Sequence, residues 1–253
     1  MQHVTVLLVN RGIIKLLKQP SAPLGGFAMS LFFLVVYNAG IGGVGFLDAF
    51  GDGGYLSFVF PIALISLAMG SSAGAGQALH ADMQSGYFQR LYLSPAPRWS
   101  LVVAPMLADT LSSLVFGALL LAIGALFGVV FQFGWLSVLG IMVLCLLWSV
   151  TLCGFSAGVM LRTGQPQSAA IVTNAVFPLL FLSTTFLPRE LMTAKWLLAI
   201  SWGNPVTYVL EGCRYLLAGT SQPIFLLIAL GVLSLTALSS VIFALNSASK
   251  IRR

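Results

Sequence analysis

Few residues in this chain are equipped for chemistry. Its 253 residues include two histidines, His3 and His80, and six carboxylates. No His-Glu-x-x-His run offers a catalytic metal site, and no Gly-x-x-x-x-Gly-Lys-Ser/Thr loop offers to cradle nucleotide phosphates. No paired carboxylates stand at a catalytic spacing. His80 with Asp82 is the one close acid–base pairing, and it lies in a loop. Cys145, Cys153 and Cys213 include two in one apolar stretch, so they read as small apolar filler, with no disulfide framework or metal site. Asp109 sits inside an apolar stretch, where an ionisable group commonly marks a path. Asn38 and Asn174 are the other notable polar residues of such stretches. They either line a path or bond between helices, and interhelical bonding is the commoner use. Glu211 and Arg214, three residues apart, can pair on one face of a helix.

The elements that must hold these residues are set by composition. Hydrophobic residues make up 58% of the chain and charged residues 7%, with a mean hydropathy of +1.00. Soluble domains are about a quarter charged, so this chain cannot cover a globule with polar groups and its solvent is lipid. No Asp, Glu, Lys or Arg occurs in 19–47, 53–81, 110–161, 163–188 or 215–249. A spanning helix needs roughly 20 apolar residues. Four of these intervals hold one helix each, and 110–161 must hold two, broken near Gln132-Phe133-Gly134. Six spans result, near 24–46, 55–79, 101–130, 135–160, 168–187 and 223–246. The stretches are continuously apolar, without the alternation of a membrane barrel. The fold class expected is an all-α membrane protein forming a single domain over 1–253.

The net charge of +6 reports orientation and not nucleic acid. With the N-terminus inside, nine Lys or Arg fall on inner segments (Arg11, Lys15, Lys18, Arg90, Arg98, Arg162, Lys250, Arg252, Arg253). Three fall outside (Arg189, Lys195, Arg214), together the 12 in the chain. Both termini are therefore expected in the cytoplasm. No cleavable signal peptide is evident, because bases are interspersed through residues 1–20 and do not precede a compact apolar core.

Three pieces do not span. Residues 4–18, within the segment 1–20, place Val6, Val9, Ile13, Leu16 and Leu17 opposite Arg11, Lys15 and Lys18, as in an interfacial amphipathic helix. The inner loop 80–98 contains a predicted helix over 82–93, with Asp82 near its start and Arg90 near its end to complement the helix dipole. Phe88, Leu91 and Tyr92 form its apolar stripe, and Pro95 and Pro97 stop it. The outer segment 188–222 predicts two short, partly re-entrant helices split at Gly203-Asn204-Pro205. Trp196, Trp202, Tyr208 and Tyr215 suit the interface. Gly70/Gly74, Gly124/Gly128 and Gly154/Gly158 permit close helix approach, and Pro61 and Pro178 can kink their helices.

In this order, the pieces resemble the ABC-2 type permeases, the membrane subunits of ATP-binding-cassette exporters of the daunorubicin-resistance and polysaccharide-export kind. The inner loop reads Asp82-Met-Gln-Ser-Gly86-Tyr-Phe-Gln-Arg90-Leu91, then Pro95 and Arg98, which is similar to the family's coupling helix. The outer segment reads Asn204-Pro205-Val-Thr-Tyr208, then Glu211, Arg214 and Leu217, similar to the family's Asn-Pro-x-x-Tyr region. Gln84 and Gln89 depart from the acids often found there, which implies a less electrostatic dock.

The resemblance implies that Asp82, Gly86, Phe88, Arg90, Leu91 and Tyr92 contact an ATPase subunit. It implies that Asn38, Met69, Asn174 and Phe177 line a translocation path, and that Asn204, Pro205, Tyr208, Glu211 and Arg214 build an outer lid. It further implies two ATPase subunits, a second permease subunit (a copy or a sister), and contact with membrane lipids. No cofactor is expected in this chain, since ATP and Mg belong to the partner. The location implied is a prokaryotic-type inner membrane. An amphipathic or apolar cargo follows from Phe and Met on the path. Two other classes share the composition. A secondary transporter or channel should show intramembrane charge or a repeat, and no repeat relates 24–130 to 135–246. A lipid-modifying enzyme would have to rely on His80 and Asp82.

Overall fold

Eight helices and no strand are found among the described residues of the computed structural model, which are 11, 14, 21–41, 54–86, 98–165, 167–186, 189, 192–219 and 221–250. The helices are α1 (Ser21–Ile41), α2 (Gly54–Gln84), α3 (Arg98–Leu126), α4 (Trp135–Thr163), α5 (Ser168–Phe181), α6 (Lys195–Gly203), α7 (Pro205–Leu217) and α8 (Pro223–Lys250). Most of the expected interfacial helix, and Phe88, Gln89, Arg90, Leu91 and Tyr92 of the inner loop, lie outside the described residues. So does the side chain of Asn38.

Four helices are long and apolar enough to cross a membrane by length and composition: Gly54–Gln84, Trp99–Leu126, Trp135–Thr163 and Pro223–Ser249. Two shorter apolar helices, Leu24–Val36 and Ser168–Phe181, stand where the first and fifth spans are expected. The fifth differs from its expected extent of 168–187. Its helix closes at Phe181, where Leu182 N–H donates to the Pro178 carbonyl, and the chain turns through buried Ser183, Thr184 and Thr185.

Helices α2 and α4 form the centre. Helix α2 contacts α1, α3, α4, α5 and α7, while α4 contacts α2, α3, α5, α7 and α8. Their side chains supply most of the core, with Phe60, Ile62, Ile65, Ile141, Leu144 and Leu152 almost fully enclosed. A helix apolar on all sides belongs in such a place. Glycine sets several crossings. A Cβ on Gly70 would stand 2.3 Å from the Gly26 Cα, so α1 and α2 meet backbone to backbone. Gly154 and Gly158 admit Ser240 and Phe243 of α8, which joins α8 to α4. The pair Gly124/Gly128 is divided instead. Gly124 receives the ring of Phe60, while Gly128 has φ +90 in the turn that ends α3.

Helix α2 runs on past the boundary expected near residue 79. Its 31 residues measure about 46 Å at the α-helical rise, more than the ~30 Å hydrocarbon layer. Asp82 is therefore in the last turn of α2, not near the start of a separate helix as the sequence predicts. Gly86, with φ 70, closes it, and its N–H donates to the Met83 carbonyl. A carboxylate at a helix C-terminus opposes the dipole. Arg11 answers it with two charge-assisted bonds, Nη2 to Oδ1 at 2.9 Å and Nη1 to Oδ2 at 3.2 Å. Arg11 is thereby tied to the end of α2.

Candidate translocation groove and buried hairpin ion pair

A groove of about 570 Å³ opens between α1, α2 and α5. Helix α1 contributes Gly25, Gly26, Met29 and Phe33. Helix α2 contributes Ser66, Met69, Gly70, Gly74 and Gln77, and α5 contributes Thr173 and Phe177. The volume is in the range of pockets that hold drug-sized ligands. The walls combine thioethers and aromatic rings with three neutral polar side chains, and none of the lining residues is charged. Two of the four residues assigned to a path from sequence, Met69 and Phe177, line this groove. Asn174 is exposed outside its wall, because the position that points inward on α5 is its neighbour Thr173.

Thr173 and Ser72 were not singled out by sequence. Their hydroxyls lie 3.0 Å apart, and both donate to the Met69 carbonyl, at 3.4 and 2.9 Å. This bracket joins α2 to α5 beside the groove. The signal that would have found it is the general use of Ser and Thr hydroxyls between apolar helices. Ser66, 6% exposed, has a hydroxyl with no hydrogen-bond partner among the described residues.

The second constellation is at the hairpin. Pro205 takes the first position of α7, where its missing N–H is no loss. Asn204 caps the helix, accepting from Val206 N–H at 3.0 Å while its Nδ2 donates to the Leu179 carbonyl of α5 at 2.6 Å. The Tyr208 hydroxyl donates to the Trp202 carbonyl at 2.5 Å, which closes α6 onto α7. Helix α7 is enclosed by the rest of the chain. Ten of its 13 residues are buried, with Gly212 set against Ala229 and Leu144.

Arg214 and Glu211 do pair, at 3.3 Å, inside this enclosure. Arg214 Nε donates to the Phe58 carbonyl at 3.0 Å and Nη2 to the Thr185 carbonyl at 2.9 Å. Its guanidinium also lies 3.5 Å from the centre of the Phe58 ring. Glu211 accepts from Thr184 at 2.7 Å and from Ser221. The pair therefore fastens α7 to α2, to the turn after α5 and to the approach of α8. None of these partners is on α6. Burial pulls the Arg214 pKa down to about 10, and Glu211 opposes the fall, so the group is charged at neutral pH. Arg189, also in this region, stacks on Trp202 and Phe225 at 4.1 and 4.6 Å.

The sequence match decides the family: residues 3–218 match the family described as ABC-2 type transporter. The chain belongs to that family. Its similarity to curated permeases is spread along most of its length. It is 27% identical to the daunorubicin resistance ABC transporter permease protein DrrB1 of Streptomyces coeruleorubidus, over 76% of this chain and 67% of that one. It is 26% identical to the putative transport permease ycf38 of Cyanophora paradoxa, over 85% and 74%. It is 25% identical to the probable doxorubicin resistance ABC transporter permease protein DrrC of Mycobacterium tuberculosis, over 83% and 75%. As an ABC-2 permease, the chain is a membrane protein of an ABC transporter, and its apolar helices suit that role.

Proposed function

We propose that this chain is the path-forming subunit of an ATP-driven exporter, with ATP and Mg bound by separate ATPase subunits. The observation that carries this reading is the uncharged groove between α1, α2 and α5 in a chain of the ABC-2 family. One single-domain subunit supplies half of the path, so two permeases and two ATPases assemble. The two shorter apolar helices complete six spans, and the Lys and Arg bias sets both termini in the cytoplasm of a prokaryotic-type inner membrane. The segment 80–98 receives the ATPase motion, with Gly86, Phe88, Arg90, Leu91 and Tyr92 at the contact. The hairpin of α6 and α7 closes the outer end. The cargo is amphipathic or apolar, as the drug-resistance names of two relatives also suggest.

The test is vesicle export of a fluorescent amphiphile by the chain reconstituted with its ATPase. Met69→Trp fills the groove and is expected to lower export at least about tenfold, since a blocked pocket loses its ligand contacts, while the ATPase subunit still co-purifies. Export that survives ATP depletion but stops with an ionophore would favour a secondary transporter and overturn the reading.

A further inference from the structure

Arg162 has no part in the groove or the hairpin. It stands in the last turn of α4, and its side chain is turned onto α8, not back onto its own helix end. The carbonyls there are met without it, Met160 by the Gly164 N–H at 2.8 Å and Val159 by the Thr163 hydroxyl at 3.0 Å. Arg162 Nε donates to the Ser247 hydroxyl at 3.0 Å, and its guanidinium lies 4.3 Å from the centre of the Phe243 ring. Both anchors are themselves fixed. Gly158 leaves the space that Phe243 enters, and buried Ser247 donates to the Phe243 carbonyl at 2.7 Å. The guanidinium is therefore held by one edge and one face. Its two Nη groups make no hydrogen bond or ion pair with the described residues, and Arg162 is exposed. Neither α4 nor α8 carries a carboxylate to answer it. Asp82, at the end of neighbouring α2, is taken by Arg11.

We infer that Arg162 holds the phosphate of an anionic lipid at the seam between α4 and α8. A guanidinium fixed in this way presents its two Nη groups as a planar fork, which matches two oxygens of a phosphate. The depth suits a headgroup. Arg189 stacks on Phe225 near the start of α8, and Arg162 stacks on Phe243 near its end. Those two rings are about 27 Å apart at the α-helical rise, close to the ~30 Å hydrocarbon layer. The two guanidiniums therefore stand at its two edges. The surface beside Arg162 suits acyl chains. Phe155 packs on Phe243 with ring centroids 5.9 Å apart, and exposed Ile242, Leu238 and Leu235 continue along α8. A carboxylate of a soluble partner could meet the fork but would have no use for this apolar strip. Basic pockets between spanning helices are a known form of anionic headgroup site.

The test is native mass spectrometry of the purified full chain in detergent, titrated with phosphatidylglycerol, phosphatidylcholine or inorganic phosphate. The native chain is expected to bind its first phosphatidylglycerol on the order of tenfold more tightly than phosphatidylcholine, whose amine offsets the phosphate charge. Arg162→Gln should remove most of that preference. Arg162→Lys keeps the charge but loses the fork, and is expected to lower the preference about threefold. Equal binding of the two lipids by the native chain overturns the inference, and that comparison needs no variant to fold. A preference kept in full by Arg162→Gln overturns it, because the other bases then supply the attraction. A preference kept in full by Arg162→Lys overturns it too, because charge alone then suffices. Inorganic phosphate that displaces the lipid at equal concentration overturns the lipid assignment. Co-purification of the ATPase subunit that is lost in Arg162→Gln, with the lipid preference unchanged, gives the fork to a protein partner instead.

Discussion

Arg214 is a guanidinium with 1% of its side chain exposed, held by two carbonyls, a hydroxyl, a carboxylate and a ring face. A buried ion pair is worth little beyond an apolar replacement, but breaking one leaves an unmatched charge. Arg214→Ala is therefore expected to destabilise the chain by about 3–5 kcal/mol, read as a large fall in the thermal midpoint of the detergent-solubilised protein. Glu211→Gln should also lower it, and Glu211→Gln with Arg214→Met should recover part of the loss. Double-variant stability equal to the sum of the singles would show the two do not act as a pair. The cost of burying the charge is present throughout the neutral range. The folded pKa is lowered to about 10, so relief comes only as pH rises past that value. The pairing of Glu211 with Arg214 was legible from their spacing. The Phe58 carbonyl was not, because it lies 156 residues away in sequence.

At the scale of elements, glycine positions decide how closely helices approach. Gly26 and Gly70 oppose each other across α1 and α2, whereas a Cβ on Gly25 would meet nothing within 4 Å. Gly70→Ala is expected to cost about 1–3 kcal/mol, since overpacking must push one backbone away. Gly25→Ala should leave stability unchanged or raise it slightly by its helix propensity. Thermal melts of the two variants side by side check this, and equal midpoints would count against a backbone crossing. The small-residue spacing was visible in sequence, but its partner was not. Gly70 meets α1, Gly74 meets Asp109 of α3, and Gly124 receives a ring from α2. A pattern of small residues says that something comes close, and only packing says what. Helix α2 makes the same point. Its apolar run ends near residue 79, yet the helix continues to Gln84 because nothing before Gly86 interrupts it.

Across the whole molecule, the Arg11–Asp82 pair joins segments 71 residues apart. Arg11 is substantially exposed, so the pair adds at most about 1 kcal/mol to stability, and its effect belongs in coupling. Arg11→Glu and Asp82→Arg are each expected to lower ATP turnover by the assembled transporter, and the double exchange to restore it. Failure of the exchange to rescue would mean that Asp82 meets the ATPase itself. Lipid as solvent, the helical class, the breaks between long helices and the break at Gly203-Asn204-Pro205 were all determined by sequence. Each follows from composition or local spacing, because a helix satisfies its own backbone and needs only an apolar stretch to sit in lipid. The tertiary structure alone decided that Thr173, not Asn174, faces the groove, that α7 is enclosed, that Asp82 is answered by Arg11, and that Asp109 lies behind Gly74. Those facts depend on helix rotation and on partners distant in the chain. A uniformly apolar helix carries no amphipathic stripe to announce which face turns inward.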